Sequence, residues 1–241
     1  MPLLQELKQI EAEVVACRKC PRLVRYIGEI RKKYPDYWCK PVPGFGDPRA
    51  KILLLGLAPG RFGSNRTGRM FTGDASGKFL YRALHDLGLA SRPVATDLKD
   101  GLTLKAVYIT AAVRCAPPQN KPSPQELKNC AHFAQKEIRL LPELRVVVAL
   151  GRVAHDAYLR LAGGKLSQYP FKHGAVHVLS GHPTLVDIYH PSRQNTQTGL
   201  LTMPMFKDVI KKAKKIAEGP SPKPASRQRR YAGLNQTCHA D

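Results

Sequence analysis

The chain is predicted to fold as an α/β protein, a three-layer α/β/α sandwich built on a mainly parallel sheet. Three observations carry that prediction. Continuous apolar runs bounded by glycine or turn residues occur at Lys51-Ile52-Leu53-Leu54-Leu55, from Ala106 to Val113 and from Leu144 to Leu150, as strands buried on both faces require. Segments with helical apolar spacing alternate with these runs, the order of elements in layered α/β proteins. The length of 241 residues suffices for one domain with a proper core.

Taken in order, Leu4, Leu7, Ile10 and Val14 recur at the spacing of one helical face. That helix leads to Cys17-Arg18-Lys19-Cys20-Pro21, where the proline prevents a simple continuation. Arg22 to Lys33 is basic and again helical in period, and Lys40 to Pro48 is a turn-rich connector. The first strand then opens into Gly56-Leu57-Ala58-Pro59-Gly60, followed by Arg61 to Asp74. Open α/β sheets place ligands at such strand ends. The glycines allow close backbone approach, and Arg61, Arg66 and Arg69 can face an anion. Neither a GxxxxGK[ST] nor a GxGxxG pattern is present, so the loop is not a nucleotide fingerprint.

Ser76 to Leu87 reads as a helix with Phe79, Leu80, Ala83, Leu84 and Leu87 inward. The second strand ends in the loop Arg114 to Pro122, and Ser123 with Glu126 forms a capping box for the helix that carries Cys130. The third strand turns at Gly151 into a helix running through Leu161. Ala175 to Leu179 and Thr184 to Tyr189 are further strands, the latter closing on His190-Pro191-Ser192-Arg193-Gln194-Asn195-Thr196. Met205 to Glu218 is an amphipathic, lysine-rich helix. From Gly219 onward the apolar content is too low to offset ordering entropy. The expected organisation is therefore one domain over 1–218 and a disordered basic tail over 219–241.

A formal charge of +21, from 39 Lys plus Arg against 18 Asp plus Glu, calls for a polyanionic partner, nucleic acid first. No apolar run approaches the ~20 residues of a membrane span, and Met1 to Lys8 has no signal-peptide pattern. The expectation is an intracellular, cytoplasmic protein with no membrane partner. Six cysteines in a reducing compartment point to metal binding or catalysis before disulfides. Cys17 and Cys20 can place two thiolates on one metal, and Cys115 and Cys130 complete a set of four. Such a set serves either tetrahedral zinc or a cubane iron-sulfur cluster; the wide split of the second pair favours the cluster without excluding zinc. Cys39 and Cys238 are left over, the latter in the tail.

Gly56-Leu57-Ala58-Pro59-Gly60 with Asn65-Arg66-Thr67-Gly68-Arg69-Met70-Phe71-Thr72-Gly73-Asp74, then His190-Pro191-Ser192-Arg193-Gln194-Asn195-Thr196, and the four cysteines occur together and in this order. In this the chain resembles the uracil-DNA glycosylase superfamily, and specifically family 5, the type B enzymes of prokaryotes. The resemblance runs from about Cys17 to Lys215. It implies a four-stranded parallel sheet between helices and a 4Fe-4S cluster held by Cys17, Cys20, Cys115 and Cys130. It also implies a monomeric enzyme acting on DNA that contains uracil or another deaminated base. Such an enzyme cleaves the N-glycosidic bond after flipping the nucleotide out of the duplex.

The resemblance further implies a role for each motif residue. Gly56 and the amides of Leu57 and Ala58 should face the base carbonyl, Phe71 should stack on the extruded ring, and His190 should hydrogen-bond the oxygen where charge develops. Leu57 and Ala58 stand where many relatives carry an acidic or amide residue that activates water. Asp74 and Asn120 are therefore expected to position the water, although Asp74 as a plain helix cap is the blander reading. Ala111 falls where family 4 enzymes read the base edge with asparagine. The pocket should thus discriminate less and accept hypoxanthine and xanthine besides uracil. Ser192, Arg193, Gln194 and Asn195 should enter the duplex, with Arg61, Arg66, Arg69 and the lysines of Lys207 to Lys215 on phosphates. No motif lysine is placed for a Schiff base, so the enzyme should be monofunctional, without a lyase step. A non-catalytic, cluster-stabilised DNA-binding module would leave the Gly56 and His190 loops without a purpose. A small-molecule enzyme would need an acidic ribose-binding residue or a P-loop lysine that the chain lacks.

Overall fold

The computed structural model describes residues 2–219. The first two helices are α1 (Pro2–Ala16) and α2 (Pro21–Lys33), then β1 (Phe45–Gly46), β2 (Ile52–Gly56), α3 (Ser64–Thr67), α4 (Ala75–Asp86) and β3 (Val107–Ala111). There follow α5 (Pro124–Leu140), β4 (Val146–Leu150), α6 (Arg152–Leu161), β5 (Val176–His177), β6 (Thr184–Ile188), α7 (Arg193–Gln197) and α8 (Met203–Glu218). The sheet has six strands in the order β1-β3-β2-β4-β6-β5. Its four central strands are parallel, and the two edge strands, of two residues each, pair antiparallel. The parallel core is thus the four-stranded sheet expected; the strand read from Ala175 to Leu179 shortens to Val176–His177, with Val178 exposed to solvent.

Side-chain alternation along the strands builds two cores. Ile52 and Leu54 of β2, Ile109 of β3 and Val148 of β4 face α4 and α8 through Leu80, Leu84, Phe206 and Ile210. Leu53, Leu55, Val147 and Leu185 face the other way, onto Ile138 at the end of α5 and Tyr158 and Leu159 of α6. A third cluster packs Ile10, Val14, Leu23 and Ile27 of the N-terminal helices against Cys115, Cys130 and Phe133. The layered α/β/α arrangement follows, with α1 and α2 laid outside α5. No helix among the described residues is long and apolar enough to cross a membrane.

The capping box at α5 forms as the sequence requires: the Ser123 hydroxyl accepts from Glu126 N (3.2 Å) and the Glu126 carboxylate accepts from Ser123 N (2.7 Å). Glu126 also accepts from Arg22 Nε at 2.8 Å and Nη2 at 2.6 Å, which ties the start of α2 to the start of α5. Replacing Ser123 with alanine should cost about 1 kcal/mol in urea unfolding, the usual value of such a cap. Gly219 is the C-cap of α8; the tail expected over 219–241 otherwise lies outside the described residues, as does Cys238.

Candidate active site

Strand order reverses between β2 and β4, since β3 lies on one side of β2 while β4 and β6 lie on the other. The carboxyl ends of strands at such a reversal form a crevice. Two glycines floor it. Gly56 ends β2, and a Cβ there would stand 3.0 Å from the Phe71 ring. Gly151 follows β4 with φ 96°, and its Cβ would come 3.2 Å from His190 Cβ. The rings of Phe71 and His190 lie 6.1 Å apart at 32°, and they form the walls above this floor. Phe71 itself has left-handed backbone, φ 52°. Its carbonyl packs so tightly on Gly77 in the first turn of α4 that no side chain fits there. Ladder register places Ala111 beside Gly56. Among the described residues the amides of Leu57 and Ala58 donate to no backbone carbonyl.

Burial lowers the pKa of His190 to about 4, so its imidazole is neutral at physiological pH and can donate without first being charged. The turn beneath it is internally braced. Asn195 Nδ2 donates to the His190 carbonyl (2.9 Å), and Asn195 N donates to the Ser192 hydroxyl (3.2 Å), which caps α7. Ser192 and Asn195 are therefore occupied in shaping the loop, whereas Arg193 and Gln194 are exposed.

Asp74 does cap α4: its Oδ1 accepts from Gly77 N at 2.9 Å. Its Oδ2 lies against the glycine loop, 3.0 Å from where a Gly60 Cβ would stand and overlapping that of Gly63. A side chain at either position would push on the carboxylate. Burial raises the Asp74 pKa, while hydrogen bonds from the Gly77 and Ser76 amides and the Arg66 charge pull the other way. Arg66 clamps the loop through Nε to Phe62 O and Nη2 to Gly73 O, both 2.9 Å.

Two expected residues are placed differently. Arg69 does not face solvent: it is 3 % exposed and forked onto Asp100, with Nη1 2.9 Å from Oδ1 and Nε 3.1 Å from the Thr72 hydroxyl. Burial would raise the Asp100 pKa, but the Arg69 hydrogen bonds and the Thr96 and Leu102 amides hold it well below the usual carboxylate range. A guanidinium committed in this way is not available to phosphate. Asn120 is exposed beyond β3 with φ 56°, and no hydrogen bond ties its side chain to Asp74 or His190.

The uracil-DNA glycosylase superfamily model matches residues 43–214, a span that contains every strand of the sheet and both pocket loops. A type-5 uracil-DNA glycosylase of Thermus thermophilus is 56% identical over 209 residues, covering 85% of this chain and 95% of that protein. The chain belongs to the type-5 branch of this superfamily. Further type-5 uracil-DNA glycosylases are similar to it: that of Mycobacterium bovis at 47% over 217 residues, covering 87% of this chain and 81% of that protein, and that of Pyrobaculum aerophilum at 42% over 204 residues, covering 83% and 88%.

In this superfamily member Cys17, Cys20, Cys115 and Cys130 line one cavity, closed by Leu23, Pro41, Val113 and Phe133. Pro21 starts α2, so both cysteines of the first pair lie in the link after α1. Burial, then the neighbouring thiols, pushes Cys115 up to about 12. Cys130 is pushed up to about 11 by burial, with Arg114 opposing. Two N–H groups face the sulfurs: Arg114 N to Cys130 Sγ at 3.3 Å and Asn129 Nδ2 to Cys20 Sγ at 3.6 Å. Cys39 stands apart, buried beside Asn65.

Sequence reasoning missed a buried polar clamp on the far face of the sheet. Asp187 of β6 accepts from His155 Nδ1 at 2.7 Å and His177 Nε2 at 2.9 Å, and His155 Nε2 faces Tyr169 O at 2.8 Å. The three ligand atoms lie close enough for a metal ion, yet both His155 nitrogens are engaged in hydrogen bonds. A lone carboxylate in the apolar run Thr184-Leu185-Val186-Asp187-Ile188 was the available signal.

Proposed function

We propose that the protein is a monofunctional DNA glycosylase that hydrolyses the N-glycosidic bond of uracil in DNA. The observation that carries this reading is the pairing of Phe71 with a neutral, buried His190 above a floor of two glycines at the strand-order reversal. The glycines let Phe71 and His190 pack down onto the strand ends, Phe71 supplies a face for a planar ring to stack on, and the Leu57 and Ala58 amides supply donors. His190 donates to a base carbonyl oxygen as the bond breaks and electrons move onto the departing base. A neutral donor in a dry site stabilises that charge without solvent reorganisation. Asp74, as the carboxylate held by the α4 amides, orients the water that attacks the sugar carbon and accepts its proton. Asn120, exposed at the second strand-end loop, is the further candidate for ordering that water once DNA closes the site.

The pH dependence follows from these two groups. Because burial has moved His190 down to about 4, uracil release should show no acid limb near the ordinary histidine value of ~6.5. The acid limb belongs to Asp74, raised by burial above the usual ~3.9. Activity should fall as the pH drops through that value, and Asp74→Asn should abolish the limb while lowering the rate. Folding stability should also decline as the pH falls from ~6.5 toward 4, because there the unfolded chain takes up a proton that buried His190 refuses.

Substrate range deepens the proposal. Ala111 beside Gly56 offers no side-chain amide to the base edge, and a pocket without such a group rejects analogues weakly. Hypoxanthine and xanthine should therefore be released as well as uracil; uracil release with no detectable hypoxanthine from matched duplexes overturns this part. Phosphate grip would come from Arg61, Arg66, Arg193 and the lysines of α8. Binding should weaken with salt at a logarithmic slope near ~0.9 per neutralised phosphate.

The four-cysteine cavity suits a 4Fe-4S cluster better than zinc. Cys17 and Cys20 come from one short link and Cys115 and Cys130 from two separate elements, yet all four line one cavity, and so widely split a set favours a cubane cluster over the two close pairs typical of structural zinc. Cys17, Cys20, Cys115 and Cys130 would hold the cluster, which when bound supplies a cationic core that keeps four buried thiols ionised. Its holders join the α1–α2 link to the β3 loop and α5. No motif lysine accompanies the pocket, so borohydride should trap no covalent adduct.

A further inference from the structure

Phe62 is 52% exposed on a backbone that is otherwise pinned. Arg66 Nε holds its carbonyl, and Asn65 Nδ2 reaches the Arg61 carbonyl at 3.4 Å. Its ring meets the edge face of Tyr34 at 6.0 Å and 87°, and Tyr34 stacks on Tyr37 at 4.6 Å and 14°. The Arg61 guanidinium lies 4.9 Å from the Phe62 centroid, and its Nε has no partner. A half-exposed aromatic on a pinned backbone, edge-packed on Tyr34 and covered by a guanidinium whose Nε has no hydrogen-bond partner, has more order than an incidental surface phenylalanine needs.

The position of this cluster says what it meets. The loop that carries Phe62 begins at Gly56 at the end of β2, and a side chain at Gly60 or Gly63, which flank Phe62, would run into the Asp74 carboxylate. Phe62 is thus carried, exposed to solvent, on the strand-end loop that packs around the Asp74 carboxylate, and this placement points to the rim of the proposed pocket. The end of α2 beside it is basic, with Arg31, Lys32 and Lys33 in the last turn. We infer that Phe62, with Arg61 and Tyr34, is a stacking platform for a second nucleobase, a neighbour of the extruded nucleotide on the damaged strand. Neighbours of that nucleotide remain joined to it through one phosphate, so the same strand is the one brought to the rim. A ring face accepts any base, and the arginine adds its charge both to the stack and to the adjoining phosphate.

This inference rests on the DNA glycosylase reading, and its test separates the two. Duplexes carry uracil with 2-aminopurine next to it on the damaged strand or opposite it on the complementary strand. Fluorescence and uracil-release kinetics are compared for the parent, Phe62→Ala, Phe62→Leu and Phe62→Tyr. The parent should change the emission of the damaged-strand probe; the alanine and leucine variants should lose that change, and tyrosine should keep it. The loss in kcat/KM should fall on KM, by at least ~5-fold, the lower end of stacking on one aromatic. Leucine keeps apolar volume without a ring, so a shared defect cannot be misfolding of the alanine variant. An unchanged KM and emission in Phe62→Ala and Phe62→Leu, or a response from the complementary-strand probe alone, overturns the platform. A parent that binds but releases no uracil would instead defeat the glycosylase reading, while the emission on bound DNA still decides the platform.

Discussion

His190→Ala should slow uracil release about 10²–10³-fold, the loss of roughly 2.7–4 kcal/mol that follows removal of one preorganised donor to a developing oxyanion. Three features make the residue matter this much. Its ring is desolvated enough to hold its pKa near 4, so the donor acts where water does not compete. Its backbone is set by Asn195 and by the close approach of Gly151, so little reorganisation is needed when charge develops. It faces Phe71 at 6.1 Å, the ring proposed to stack on the base. Binding to uracil-containing DNA should be kept, because the exposed Arg193 and Gln194 of the same loop remain. Single-turnover release and binding titration on one duplex check both halves; a loss below ~10-fold in kcat would remove His190 from the reaction.

Glu137→Ala should be the most destabilising single change in the core, by ~3–5 kcal/mol. Glu137 and Arg114 are each 1% exposed and joined at 2.6 Å. Glu137 also accepts from the Thr110 hydroxyl at 2.7 Å and from Tyr108 OH at 3.4 Å, both on β3. Arg114 Nε and Nη1 have no partner, so deleting the carboxylate leaves the guanidinium almost wholly unpaired in a dry site. At this chain length the melting temperature should drop by roughly 6–20 °C. Arg114→Met combined with Glu137→Leu should recover most of the loss, because replacing both charges removes the unpaired cation. The double variant separates a stability role from a cofactor role, since the Arg114 amide that faces Cys130 is unchanged by the substitution.

Much of the fold was legible because its signals are local. The apolar runs at Ile52–Gly56, Val107–Ala111 and Val146–Leu150 became fully buried strands, since a strand covered on both faces has no polar position to spare. The Ser123 and Glu126 box and the Asp74 cap formed within three residues of their partners. The short helices α3 and α7 were missed: four and five residues are too few for a periodic pattern to register. Arg69 was misjudged for a different reason. Its partner Asp100 lies 31 residues away, and nothing near Arg69 in the chain says whether its charge will be solvated or paired.

The sequence by itself determined the layered α/β class, the strand-end loops that carry the candidate site, and the four cysteines, because periodicity, caps and turn residues act over a few positions. The tertiary structure decided which of those groups meet. It brings Cys17 and Cys20 into one cavity with Cys115 and Cys130, sets His190 over Gly151 and facing Phe71, and pairs Arg114 with Glu137 and His155 with Asp187. The charge state and reach of a buried group depend on what chain folding places against it, and those partners lie tens of residues away.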